Sequence, residues 1–240
     1  MKQNNDKLGF ISHLTELRKR LIHCIIFLFS LFAVCYLFSD FIYGFLVEPY
    51  AEAVKNDNVE RRLIFTALQE TFLTYLKVSF FAAIFITSPF ILIQIWKFIA
   101  PGLYEHEKSA LIPYLVITPI LFLLGGMLVY YLIMPLAIKF FLSFESSGLN
   151  TNLPIQLEAK VNEYLSLIMK LIFAFGLSFQ LPVILSLLAR IGFIDAKFLK
   201  ERRKYVVVII FGAAALLTPP DPITQIGLAI PLLILYELSI

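Results

Sequence analysis

The sequence predicts an all-α, polytopic membrane protein with six transmembrane helices in a kinked, concave arrangement and with both termini in the cytoplasm. Of its 240 residues, 60% are hydrophobic and 15% are charged, whereas a soluble domain is about half apolar and about a quarter charged. Apolar runs near the length that crosses a bilayer recur along the chain. We therefore expect residues 1–240 to form a single integral membrane domain in contact with the lipid bilayer. The net charge of +3 is too small to indicate a nucleic-acid partner.

The apolar runs predict where the chain crosses the membrane. The first four are long enough to span it, but the last two hold 14 and 16 residues, or about 21 and 24 Å against a hydrocarbon core of about 30 Å. These two form either one buried re-entrant hairpin or two short crossings joined by the turn "TPPDP"; we favour two crossings. The predicted spans are Leu21–Phe38, Phe72–Trp96, Leu111–Met134, Tyr164–Leu188, Tyr205–Thr218 and Ile223–Leu238.

The basic residues predict the orientation, because cytoplasmic loops of membrane proteins carry an excess of Lys and Arg. One side of the predicted membrane collects thirteen of them, in segments 1–20, 97–110 and 189–204, and the other side collects five. Both termini are therefore predicted to be cytoplasmic. Two loops, Ser39–Thr71 and Pro135–Glu163, are predicted to face outward.

Prolines inside the spans predict the shape of the bundle. Each removes a backbone donor and tends to kink its helix, although membrane helices tolerate proline where neighbours satisfy the freed carbonyl. Kinks in four of six spans favour a curved arrangement with a concave face. The prolines are Pro89, Pro113, Pro119, Pro182 and Pro231.

Residue patterns for catalysis or metal binding are not found in the sequence. The three histidines lack partners at a metal-ligand spacing, and no phosphate-binding glycine loop or Gly-x-Ser-x-Gly motif occurs. We expect no enzyme activity, catalytic residue, metal or cofactor. Polar residues inside spans are costly and more informative. Gln180 either bonds two helices together or contacts something lying in the membrane, whereas Thr218 and Asp221, near Gln225 at the outer turn, are typical of helix caps.

The leading segment "FISHLTELRKR" predicts a cytoplasmic amphipathic helix over residues 1–20, lying on the membrane surface. Leu14, Leu17 and Leu21 continue one apolar face that begins at Phe10. Glu16 stands off that face and either forms a local pair with nearby basic residues or serves a ligand.

A second acidic site lies in "APGLYEHEKS", between the second and third predicted spans, where Glu105 and Glu107 occur. Two carboxylate sites on a mostly basic face indicate a cationic ligand. Two arginines are the best candidate, because a guanidinium matches a carboxylate in bidentate geometry and an ammonium does not.

These blocks resemble the TatC family, the membrane receptors of the twin-arginine protein translocation pathway. The resemblance covers most of the chain and rests on four blocks: "HLTELRKR" (13–20), "FITSPFILIQIWKFIAPGLYEHEK" (85–108), "FAFGLSFQLPV" (173–183) and "LTPPDPITQIGLAIPLLILYEL" (217–238).

The resemblance implies binding of the twin-arginine signal peptides of folded cargo proteins, with export across the bacterial inner membrane driven by the proton-motive force. Glu16 and Glu107 match the signal-reading carboxylates, and Thr218 and Gln225 match positions implicated in contact with the single-span TatA and TatB partners. Homo-oligomers within the complex are also implied. Gln180 stands where many relatives carry glutamate, so that position keeps its polarity but lacks a titratable group.

A secondary transporter for a small solute is the alternative prediction, with kinked helices and Gln180 lining a midplane site. A proton-coupled transporter usually needs a carboxylate at membrane depth, whereas a receptor needs carboxylates on the cytoplasmic surface. None of the six predicted spans has a carboxylate near its centre, which favours the receptor.

Overall fold

A computed structural model describes residues 2–55, 61–99, 111–146, 153, 155–218 and 220–240. In these residues the chain is helical apart from turns, short loops and two isolated β-bridges, so the predicted all-α class is confirmed. The helices are α1 (Lys2–Leu37), α2 (Ser39–Val54), α3 (Glu70–Ile99), α4 (Leu111–Leu128), a π-helical segment (Val129–Ile133), α5 (Met134–Leu142), α6 (Val161–Ser178), α7 (Leu181–Arg190), α8 (Ala196–Leu217) and α9 (Pro222–Leu238).

Four helical stretches of the described chain are long and apolar enough to cross a membrane. Each overlaps one of the first four predicted spans. The third reaches eight residues beyond the predicted end because the π-helical segment continues directly into α5. The stretches are Leu14–Leu37, Glu70–Phe98, Pro113–Leu142 and Val161–Arg190.

The last two helices, α8 and α9, form an antiparallel hairpin. Tyr236 Oη donates to Leu199 O at 2.7 Å, and Arg203 Nη2 lies 2.7 Å from Glu237 Oε2. Near the turn, Gln225 Nε2 donates to Phe211 O at 3.4 Å. The first two contacts join the start of α8 to the end of α9, and the third joins the end of α8 to the start of α9, as two helices of opposite direction require. That both helices cross the bilayer stays a prediction.

The core lies where α3, α6 and the α4–π–α5 rod meet. Phe122, Phe175 and Ile168 are almost completely buried there. By contrast, α1 contacts mainly α3, and many of its large apolar side chains are exposed. In a membrane protein such side chains face lipid, since lipid tails solvate apolar groups.

Both predicted loops were wrong in part: Pro135–Glu163 begins within α5, and the segment after the first span begins with a helix, α2. Its Pro49 lacks an N–H, which leaves the carbonyl of Phe45 without its usual donor. The hydroxyl of Tyr130, on the π-helical segment, donates to that carbonyl at 2.8 Å. Proline and glycine are both unfavourable inside a helix. In α2 a tertiary hydrogen bond compensates for Pro49.

The prolines of the spans follow two structural patterns. Pro182 coincides with the break between α6 and α7, as predicted. Helix α3 instead continues through Pro89, and Ser88 Oγ donates to the freed carbonyl of Phe85 at 2.7 Å. For Pro89 the alternative prediction is therefore confirmed, namely that a neighbouring group satisfies the carbonyl.

Candidate functional site

Helix α1 carries Glu16 four residues before Arg20, which places both side chains on the same helical face. The helix runs without a break across the boundary predicted between the leading helix and the first span. Leu14, Leu17 and Leu21 are all exposed, as a membrane-facing stripe requires. The placement of the leading turns on the membrane surface stays a prediction.

The carboxylate of Glu16 accepts a forked pair of bonds from Arg20. Arg20 Nε lies 3.0 Å and Nη2 2.6 Å from the same oxygen, Glu16 Oε1. The third nitrogen, Nη1, donates to Oε1 of Gln94 on α3 at 2.8 Å. The local ion pair that the sequence offered as one alternative is thus present, and Gln94 ties it to a second helix.

An apolar groove of about 260 Å³ adjoins this network between α1 and α3. Leu17, Cys24 and Leu28 line it from α1, and Ile91 and Ile95 line it from α3. Arg20 and Gln94 also contribute to its wall. A ligand that joins a guanidinium to an apolar segment would therefore find both features side by side.

The predicted partner carboxylate, Glu107, lies outside the described residues, as does Glu105. Helix α3 ends at Ile99 and α4 begins at Leu111. Gln94 precedes the end of α3 by five residues, or about 7.5 Å of helix. That Glu107 and Glu16 act together stays a prediction.

Gln180 is buried at the break between α6 and α7. Its Nε2 donates to Thr118 O of α4 at 3.1 Å and to Gly176 O of α6 at 3.3 Å. The backbone N–H of Gln180 bonds instead to Leu177 O, so the side chain replaces it at Gly176. The contact between helices predicted as one alternative is confirmed, whereas contact with a ligand stays a prediction.

We expect Gln180→Leu to lower the free energy of unfolding by about 1 kcal/mol, because two carbonyls lose their side-chain donor. Equilibrium unfolding in mixed micelles measures this loss. Gln156→Leu, an exposed control in the loop before α6, should leave the unfolding midpoint unchanged. Equal midpoints for both variants would show that the buried amide contributes nothing.

The outer turn between α8 and α9 is held by its own polar side chains. Asp221 caps α9, since Oδ2 accepts from Thr224 N at 2.8 Å and Oδ1 from Thr224 Oγ1 at 2.7 Å. Thr218 ends α8, and its Oγ1 donates to Ala214 O at 2.9 Å. The predicted capping roles are confirmed. Contact of Thr218 and Gln225 with partner helices stays a prediction.

A clamp of three residues, Arg61, Glu145 and Leu157, lies on the side predicted to face outward and was missed in the sequence. Arg61 gives two bonds to Glu145, from Nη1 to Oε1 and from Nη2 to Oε2, both at 2.6 Å. The backbone N–H of Leu157 donates to Oε1 of the same carboxylate at 2.7 Å. These donors hold the pKa of the Glu145 carboxyl below its ordinary value, with the Arg61 bonds as the largest cause.

Sequence reasoning also missed Gln94. The available signal was a lone amide in the apolar run "FILIQIWKF", the same type of signal that identified Gln180. Among the described residues, no group of three or more His, Cys, Asp or Glu side chains is placed to hold a metal ion.

Comparison with known proteins identifies the family. Residues 12–231 match the sequence profile of TatC, the Sec-independent protein translocase protein. The chain is 48% identical to the Sec-independent protein translocase protein TatC of Magnetococcus marinus over 98% of this chain and 83% of that protein. It is 46% identical to that of Rickettsia prowazekii, over 97% of this chain and 91% of the relative.

The chain belongs to the TatC family. A crystal structure described as the twin-arginine translocase receptor TatC matches the fold with a TM-score of 0.78 and 37% identity, covering 95% of this chain and 96% of that one. The chain is therefore a TatC translocase component, a membrane protein of protein transport. The small-solute transporter that the sequence left open is not supported.

Proposed function

We propose that this TatC chain is the receptor subunit of a twin-arginine translocase in a bacterial cytoplasmic membrane. It binds the paired arginines of a folded cargo's signal peptide at its cytoplasmic face, through Glu16 and Glu107. Export is driven by the proton-motive force. One observation carries the proposal: Glu16 already accepts a guanidinium, with two nitrogens 2.6 and 3.0 Å from its Oε1. The carboxylate can thus accept a planar guanidinium, and this geometry distinguishes arginine from lysine.

The groove between α1 and α3 supports a peptide ligand in particular. A twin-arginine signal carries an apolar stretch after its arginines, and the groove begins beside Arg20 and continues along apolar side chains to Leu28. Burial of that stretch would add binding energy in proportion to the apolar area removed from water. Charge and apolar contacts would therefore select together for one kind of segment.

Single-span TatA and TatB partners are proposed to contact the α8–α9 hairpin. Val208, Ile209 and Leu216 of α8 are strongly exposed, so that helix offers an apolar face to another helix in the membrane. Gln225, at the turn, is only partly buried and can form a bond across such an interface. Further copies of this chain are proposed to belong to the same complex.

We expect Glu16→Gln and Glu107→Gln each to weaken binding of an Arg-Arg signal peptide by about tenfold or more, because each loses a charge-assisted hydrogen bond. The affinity of the purified protein in detergent, measured for an Arg-Arg peptide and its Lys-Lys version, tests this. The wild type should prefer Arg-Arg, and both variants should lose that preference.

Glu201→Gln is the matched control, since Glu201 is an exposed carboxylate on α8 on the side predicted to be cytoplasmic. Its peptide affinities should equal those of the wild type. Equal binding of both peptides to the wild type, unaffected by Glu16→Gln and Glu107→Gln, would contradict the proposed function.

A further inference from the structure

We propose that Arg20 is an internal competitor for Glu16 that sets how tightly the receptor binds the arginines of a signal peptide. The inference rests on the proposed function of Glu16. In the free protein the guanidinium of Arg20 occupies the oxygen that a signal arginine would bind. An incoming ligand must displace it, which lowers the affinity of every ligand for Glu16 by the same factor.

The contacts of Arg20 match this role. Both of its bonds to the carboxylate fall on Glu16 Oε1, and among the contacts that the structure describes, Oε2 accepts none. A ligand can approach through Oε2 first and take Oε1 afterwards. The side chain of Glu16 is 36% exposed and that of Arg20 is 25% exposed. The pair is therefore accessible from solvent and weak enough to exchange.

Gln94 can hold the guanidinium of Arg20 after Arg20 has released Glu16. Its Oε1 accepts from Arg20 Nη1 at 2.8 Å, on a nitrogen that does not contact Glu16. Arg20 can therefore release Glu16 while its bond to α3 persists. This second anchor lowers the cost of displacement, because the guanidinium does not lose all its partners at once.

Competition of this kind lowers the affinity for arginine and for lysine by the same factor, because both ligands must displace the same guanidinium. A ligand arginine replaces two charge-assisted bonds by two of the same geometry, whereas an ammonium offers a point charge without the planar fork. Lysine therefore fails to compensate the broken pair. Without Arg20, both side chains would meet a free carboxylate, and both affinities would rise by that factor.

Arg20→Gln tests the proposal, with the same Arg-Arg and Lys-Lys peptides and the full chain in detergent. We expect affinity for Arg-Arg to rise by about two- to fivefold, the range that an exposed ion pair supplies. Affinity for Lys-Lys should rise by the same factor, so the ratio between the two affinities stays unchanged. Lys19→Gln is the control, since it removes the same charge one residue away at an exposed position and should leave both affinities unchanged.

A supporting role for Arg20 predicts the opposite result. If the guanidinium only held Glu16 in its binding conformation, Arg20→Gln would weaken Arg-Arg binding, and Arg20→Lys would restore part of it. That outcome would overturn the inference while Glu16→Gln still abolished the preference for arginine. If Glu16→Gln changed nothing, the proposed function itself would fail, so the two failures are distinguishable.

Discussion

Gly125→Ala should lower the free energy of unfolding by about 2 kcal/mol or more, although alanine is the better helix former by about 1 kcal/mol. A Cβ at this position would lie 2.7 Å from Phe175 O and 2.8 Å from Phe175 C. Both are backbone atoms of α6, which cannot rotate away as a side chain can. The added methyl group therefore has to separate α4 from α6.

The close approach at Gly125 is part of a pair of glycines. The same Cβ would lie 2.9 Å from the Cα of Gly176, and a Cβ on Gly176 would meet the Phe122 ring at 2.7 Å. Small residues at such crossings let membrane helices pack backbone to backbone. Since this crossing lies beside Phe122 and Phe175, separation of the helices would also loosen the most buried part of the core.

Gly212→Ala provides the control by the same substitution in α8. A Cβ there has nothing within 4 Å, so only the gain in helix propensity remains, up to about 1 kcal/mol. Unfolding in detergent should give a lower midpoint for Gly125→Ala and an equal or higher midpoint for Gly212→Ala. If Gly125→Ala unfolded at the wild-type midpoint, the helices would not be in backbone contact at this glycine.

Hydropathy was enough to predict the first four spans, because a bilayer imposes a length and a composition that local sequence displays. The ends of those spans were less predictable. The rod from Leu111 to Leu142 passes its expected end at Met134, since the residues after Met134 remain apolar and helical. A window of hydropathy does not distinguish a helix that crosses from one that also continues outside.

The sequence did not predict contacts between segments that lie far apart along the chain. Helix α2 depends on the bond from Tyr130 to Phe45 O, which joins positions 85 residues apart. The sequence around Gly125 does not indicate that this residue approaches the backbone of α6, because the contact exists only once α4 packs on α6. At the candidate site on α1, the charge and the residue type were enough to predict Glu16 and its local pair with Arg20. The bond from Arg20 to Gln94 needed the packing of α1 on α3.

The clamp of Arg61, Glu145 and Leu157 gives the second large expected effect. Glu145→Gln should cost about 2 kcal/mol or more at neutral pH, because breaking a buried pair costs about 3–5 kcal/mol and this one is partly exposed. The side chain of Arg61 is 7% exposed and that of Glu145 is 20% exposed. The substitution removes the negative charge that the Arg61 guanidinium contacts at 2.6 Å. It also weakens the bond from Leu157 N, which holds the loop before α6.

The pH dependence of this effect follows from the lowered pKa of Glu145. A carboxyl whose pKa is lower in the folded state stabilises the fold fully above its unfolded pKa, about 4.3 for glutamate. That stability is lost as the pH falls through the folded pKa. The wild type should therefore unfold at a higher temperature than Glu145→Gln at about pH 7, and the gap should shrink as the pH approaches about 3.

Unfolding midpoints of both proteins across that pH series would measure the gap directly. Glu158→Gln, an exposed carboxylate in the same loop, should follow the wild type at every pH and so controls for the loss of one negative charge. A gap that stayed constant with pH would mean that the ionisation of Glu145 contributes nothing to the clamp. The hydrogen bonds of Arg61 would then connect residues 61 and 145 without a contribution from the charge of the carboxylate, as neutral hydrogen bonds do.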